Sequence, residues 1–162
     1  MIHVTIELLY EEEKILEYKF NPISIDDVFI IENWRYDGYM KSIFMKPYHD
    51  NLASLGVLKG PDLCDGFSVY VEKDLFGLFE YYHRDDFIEI GLAINPKYIK
   101  KGYSKSFIEA GISFAKKNYN YQKDYIYLTV EKENIAAYNA YKNADFVIVH
   151  EDALEIVMRR KV

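Results

Sequence analysis

Asn95-Pro96-Lys97-Tyr98-Ile99-Lys100-Lys101-Gly102-Tyr103-Ser104-Lys105 is the stretch from which the rest of the chain is read. Upstream, residues 87–94 form an apolar-rich run that Asn95-Pro96 ends, as a strand stopped by turn residues. Downstream, Phe107, Ala110, Gly111, Phe114 and Ala115 recur at helical spacing, so 103–117 is predicted as a helix with one apolar face. A loop entering a helix N-terminus presents unpaired backbone N–H groups, and the helix dipole adds partial positive charge. Lys97, Lys100, Lys101 and Lys105 concentrate more positive charge here, and Gly102 allows close approach to the backbone. The arrangement suits a pyrophosphate. An ordinary solvated turn with lysines is the competing reading of the same local pattern.

Working outward, 125–130 reads as a strand, 134–143 as a short helix, and 146–150 and 154–159 as two final strands. Before the loop, 67–72 and 75–82 are β-like runs separated by Lys73-Asp74, which predicts an antiparallel hairpin. Ser24 followed by Asp26 and Asp27 has the form of an N-cap region and opens a helix over 24–34; a second helix falls within 39–55. Alternation over 2–10 and a run over 15–20, joined by a charged turn, predict a terminal hairpin. The order of elements implies one α/β domain over 1–162, a mixed sheet with helices packed on its faces.

Composition narrows the function. Fifty per cent hydrophobic residues in 162 supply the core of one ordinary domain. A net charge of −6 lacks the basic face that nucleic acid requires. No apolar run is long enough to span a bilayer, and Cys64, the only cysteine, has no partner for an internal disulfide, so a cytoplasmic protein without a membrane partner is expected. Cys64 reads as a small core residue. The four histidines, at 3, 49, 83 and 150, show no metal-ligand spacing, so no metal is expected.

The loop resembles the acetyl-CoA loop of the GNAT acetyltransferases, Arg/Gln-x-x-Gly-x-Gly/Ala after a strand that ends near a proline, with Pro96 and Gly102 in register. Ile99 stands where that family usually has Arg or Gln, and Ser104 where it has Gly or Ala. A second block, Leu128-Thr129-Val130 followed by Asn134, Ala137, Tyr141 and Phe146, is similar to the family's V-x-x-x-N-x-x-A-x-x-x-Y-x-x-x-G-F segment, with Asp145 in place of the glycine. The likeness runs from about Glu89 to Phe146 and lies nearest a bacterial subgroup with poorly defined acceptors.

The resemblance implies a central mixed, mainly antiparallel twisted sheet with helices on both faces, and transfer of acetyl from acetyl-CoA to a primary amine of a small molecule or peptide by direct attack. Tyr141 then stands beside the cofactor sulfur as the acid that protonates the departing thiolate. Glu89 is the expected general base, with His83 and water as alternatives, because an amine of pKa ~10.4 must shed a proton before it attacks. The backbone of Ala93 and Ile94 is expected to bind pantetheine. Ile99, Lys100, Lys101, Gly102, Tyr103, Ser104 and Lys105 are expected to hold the phosphates, and Asn134 to touch coenzyme A while also capping its helix. Trp34, Tyr36 and Tyr39, with Asp37, Phe44 and Tyr48, cluster where that family borders the acceptor; as aromatic walls they suit a cationic amine, and as core or homodimer contacts they need no ligand. A GNAT-fold module that binds acyl-CoA or a partner without turnover is the alternative from another class.

Overall fold

Residues 16–162 are described by the computed structural model. The strand predicted over 2–10 therefore lies outside the described residues. Of the run over 15–20, the described part yields β1 (Lys19–Pro22), which pairs antiparallel with β2 (Asp65–Val71), Phe20 opposite Val69. The hairpin of β2 and β3 (Asp74–His83) forms as predicted, its turn admitting a left-handed Glu72 at φ 55°. After β4 (Ile88–Ile94) a single 3-10 turn, Pro96–Tyr98, leads through the lysine loop into α3 (Ser104–Asn118). Then follow β5 (Tyr125–Glu131), α4 (Ile135–Asn143), β6 (Val147–Glu151) and β7 (Glu155–Lys161). Among the described residues the seven strands form one sheet in the order β1-β2-β3-β4-β5-β7-β6.

Every neighbouring pair is antiparallel except β4 and β5. These two are parallel, as a strand–helix–strand crossover through α3 requires, and they meet at one register pair, Glu89 opposite Tyr127. Beyond that pair the strands diverge, so residues 91–94 and 129–131 border a wedge in the middle of the sheet.

A β-bulge sets which side chains face which layer. Val69 sits opposite Gly77 and Tyr70 opposite Leu75, which leaves Phe76 as the extra residue in β3. The phase of β3 changes there. Phe76, Phe79 and Tyr81 pack with Phe107, Ile108, Ile112 and Ala115 of α3, whereas Leu75 and Leu78 pack with Val28, Ile31 and Tyr48 on the opposite face. Gly77 is needed at the bulge, since a Cβ there would sit 2.7 Å from the Ala93 carbonyl and from the Phe107 ring. The buried stripe of α3 includes Ile108 and Ile112, with Ala110 and Phe114 at its margin, so it is broader than the periodicity predicts.

The helices predicted early in the chain form, but one is shorter. In α1 (Ile25–Glu32) Ser24 accepts the Asp27 N–H at 3.1 Å, and buried Asp27 accepts hydrogen bonds from Ser68 at 2.6 Å and Tyr70 at 2.5 Å, tying the helix to β2. The second helix, α2 (Lys46–Leu55), starts only where Pro47 occupies its first turn, and Gly56 at φ 69° ends it. Residues 39–45 are thereby irregular rather than helical, and they cross the end of the sheet where the wedge opens.

Candidate active site

The wedge between β4 and β5 continues into a cleft of 520 Å³. Leu78, Glu80 and Tyr82 of β3 with Gly91, Leu92 and Ala93 of β4 form its floor; Thr129, Val130 and Glu131 of β5 and Asn134, Ala137 and Tyr141 of the α4 region form one wall. Residues 39–44 form the other wall, fastened across the gap where the Tyr39 hydroxyl donates to Glu131. The cleft therefore unites the segment that carries the second motif with the aromatic segment far upstream.

Backbone geometry explains what the open edge of β4 offers. The Asn95 N–H donates to Phe76 O at 2.7 Å, toward β3. In a trans peptide the carbonyl points opposite to the N–H, so the Ile94 carbonyl faces the wedge, and strand alternation turns the backbone groups of Leu92 the same way. Ala93 instead directs its carbonyl at Gly77. Of the two residues expected to bind through their backbone, Ile94 faces the wedge and Ala93 is turned into the β3 ladder, so that Leu92 is the residue sharing the open edge with Ile94. The Ile94 carbonyl accepts the Tyr36 hydroxyl at 2.6 Å.

The loop keeps its predicted form. Gly102 adopts φ 83° and Lys100 φ 58°, and an added Cβ on Gly102 would meet no protein atom within 4 Å. α3 begins at Ser104 without a side-chain cap on its first amides, which leaves them to an external acceptor. Lys97 pairs with Asp74 at 3.3 Å and lies over the Tyr98 ring, so it turns away from the helix end. Lys100, Lys101 and Lys105 have no ion-pair partner among the described residues, and Lys100, Lys101, Gly102 and Lys105 are exposed while Ile99, Tyr103 and Ser104 are half-buried.

Tyr141 is half-buried on α4 and forms part of the cleft wall, with its ring 6.1 Å from that of Phe146. Burial pushes its phenol up to about 12, so the proton stays on oxygen through neutral pH. Asn134 caps α4 by accepting the Ala137 N–H at 3.2 Å and also lines the cleft. Asp145 takes the left-handed conformation, φ 68°, that a glycine would otherwise provide after a helix.

Several expected roles shift. Trp34 is 7% exposed and packs with Ile23, Val28 and Ile31, so it belongs to the core and not to an acceptor wall. Tyr36 reaches the wedge through its hydroxyl, Tyr39 and Phe44 line the cleft, and Tyr48 is fully buried beneath it. Glu89 is held from both sides, by Arg84 at 2.6 Å and by the Thr129 hydroxyl at 2.6 Å, and does not line the cleft. His83 lies at the far end of β3 and bonds Asp65 at 2.9 Å. Cys64 is buried, and burial pushes its thiol up to about 12, which makes it inert.

The site also holds a residue that no motif marks. Glu80 is the one acidic side chain within the apolar run of β3, 9% exposed, accepting hydrogen bonds from Tyr48 at 2.7 Å and Tyr82 at 2.8 Å. Burial raises its pKa, and the two hydroxyls act against that rise. A lone carboxylate in such a run was the available signal in the sequence.

Comparison with known proteins agrees with this geometry. The model of the Acetyltransferase (GNAT) family matches residues 25–146. A search of curated proteins gave no significant match. Among solved structures, the Campylobacter jejuni N-acetyltransferase PseH in complex with acetyl coenzyme A aligns at TM-score 0.67 and 19% identity, over 90% of this chain and 99% of that one. Spermidine N-acetyltransferase from Vibrio cholerae in complex with CoA and spermine aligns at TM-score 0.66 and 18% identity, over 89% of this chain and 95% of that one.

Proposed function

Because the chain belongs to the acetyltransferase (GNAT) family, an acetyl-CoA-dependent N-acetyltransferase, we propose that its acceptor is a cationic primary amine that enters between residues 39–44 and the β4–β5 wedge. The observation that carries this reading is the wedge itself. One register pair joins β4 to β5, and past it the unpaired edge of β4 faces a cleft whose wall holds Tyr141. Pantetheine amides fit such an edge as a strand would, through Leu92 and Ile94. The phosphates fit the α3 amides beside Lys100, Lys101 and Lys105, with Gly102 giving them access.

In this reading acetyl-CoA places its thioester at the apex of the wedge. The amine nitrogen attacks the carbonyl carbon, the carbon–sulfur bond breaks, and the sulfur takes a proton from the Tyr141 hydroxyl. Glu80 and Glu131 with the rings of Tyr39 and Phe44 favour a positively charged acceptor, and the neighbour solved with spermine gives the same direction for a first screen. A single domain over 1–162 and a cytoplasmic setting belong to the proposal.

A panel of monoamines, polyamines, amino sugars and lysine peptides, assayed for thiol release from acetyl-CoA, tests it. Turnover confined to neutral or anionic acceptors would overturn the charge preference, and no thiol release with any amine would overturn acceptor entry at this cleft.

A further inference from the structure

A base for this reaction must reach the cleft, hold spare lone pairs and be uncovered toward the acceptor. Glu89 lacks the first property: it is outside the cleft lining, and Arg84 and Thr129 already fill three of its four lone-pair sites. Glu80 has all three. It lies opposite Gly91 in the β3–β4 register, and the missing side chain of Gly91 opens a window, since a Cβ there would come within 3.4 Å of Glu80 Oε2. Each carboxylate oxygen carries two lone-pair sites, and Tyr48 occupies one on Oε1 while Tyr82 occupies one on Oε2. Resting on the acetyl-transfer reading above, we propose that Glu80 is the general base, receiving the acceptor's proton through the Gly91 window while Tyr48 and Tyr82 fix the orientation of its carboxylate.

The protons balance. The ammonium gives one proton to Glu80 and becomes a nucleophile; the nitrogen–carbon bond forms, and the carbon–sulfur bond breaks with its electron pair on sulfur. Tyr141 protonates that sulfur and recovers a proton from the acylated nitrogen, and Glu80 releases its own to solvent. The products are the amide, free CoA thiol and one proton. The ionisable groups packed against Glu80 are Tyr48 from α2, Tyr82 from its own strand and Cys64 from the turn before β2, all neutral near pH 7; Lys41, whose ammonium donates to the Asp37 carbonyl, and Glu131, which accepts from Tyr39, line the same cleft, and among the described residues no cation pairs with Glu80. Burial without a paired cation raises the carboxyl above its ordinary value, against the two hydroxyls, which suits proton uptake from an amine.

The test is the pH dependence of kcat/KM with acetyl-CoA and three probes: butylamine, 1,4-diaminobutane and a lysine-bearing peptide. In the wild type the rate should rise with pH and level off once Glu80 is ionised, below the amine pKa of ~10.4. Glu80→Gln should lose about 100-fold at neutral pH and keep rising through the amine pKa, with acetyl-CoA affinity by calorimetry unchanged. The same plateau in Glu80→Gln, at a rate within twofold of wild type, overturns the proposal. If Glu80→Gln does not fold, Tyr48→Phe decides: deleting a donor to the carboxylate should move the acid limb up by about one pH unit, and an unmoved limb overturns the proposal. Wild-type protein that releases no thiol with any probe overturns the acetyl-transfer reading itself, and the base assignment falls with it.

Discussion

The two walls of the cleft are written in the sequence in different ways. The segment that carries one wall, residues 89–146, does its work largely with backbone: an open strand edge, a left-handed glycine and the first turn of a helix. The segment that carries the other wall, residues 34–55, does its work with side chains whose partners lie far along the chain, Tyr36 with Ile94, Tyr39 with Glu131 and Tyr48 with Glu80. Backbone geometry depends on local residue order, so it appears as a motif. Side-chain placement depends on the folded sheet, so aromatic residues alone do not tell a core ring from a cleft ring.

Gly102→Val attacks the first segment and carries the largest expected effect. Because an added Cβ meets no protein atom within 4 Å, the protein itself has room for the side chain. Strain from φ 83° and crowding of the incoming phosphates remain. Affinity for acetyl-CoA should fall by about 100-fold or more, ~3 kcal/mol, in calorimetry on protein shown folded by circular dichroism. Normal binding would mean that the phosphates lie elsewhere.

Tyr141→Phe acts on the wall that the first segment carries. The ring and its packing on Phe146 remain, and only the hydroxyl is lost. The expected loss in kcat is about ten- to a thousand-fold, with acetyl-CoA affinity unchanged. The wild-type phenol, with its proton held up to about 12, should contribute no alkaline limb until the pH nears that value. Loss of binding together with turnover would instead make Tyr141 a packing residue for the co-substrate.

A paired test on the second segment asks whether its aromatic residues divide as the structure divides them. Trp34→Ala removes a core ring and should cost about 3 kcal/mol or more in chemical denaturation. Tyr39→Phe deletes a half-exposed hydroxyl that holds Glu131, so it should leave the melting temperature in place and raise the acceptor KM several-fold. If Tyr39→Phe unfolded the protein, or Trp34→Ala changed only KM, the division would be wrong.

These cases show where reading from sequence succeeds and where it stops. The hairpin of β2 and β3, the helix after Gly102 and the cap at Asn134 depend on neighbours a few residues away, and all three form as predicted. Glu89 and Glu80 show the limit. Both lie in apolar strands, and only the β3–β4 register with the divergence of β4 from β5 places one beneath the cleft and the other beside Arg84. Trp34 fails for the same reason, because its burial follows from how α1 settles on Leu75 and Leu78.

The smallest expected effect tests whether a broken motif residue is a functional change or a local conformational cost. Asp145 stands at the family's glycine position and adopts φ 68°, just past α4. Its N–H donates to Lys142 O at 3.1 Å and that of Phe146 to Tyr141 O at 3.1 Å, which closes the helix in the manner of a left-handed C-terminal cap. The backbone already has the glycine conformation, so aspartate pays a steric cost there that glycine does not. Its exposed side chain has no hydrogen-bond partner among the described residues that would offset this cost. Asp145→Gly should therefore stabilise the protein by about 0.5–1 kcal/mol in thermal or denaturant unfolding, the gain being reduced by the greater freedom of glycine in the unfolded chain. Phe146 stays anchored in the core and Tyr141 stays on the cleft wall, so kcat should not change. A change in kcat without a gain in stability would show that the end of α4 sets the position of Tyr141, and the first segment would then depend on a side chain as the second does.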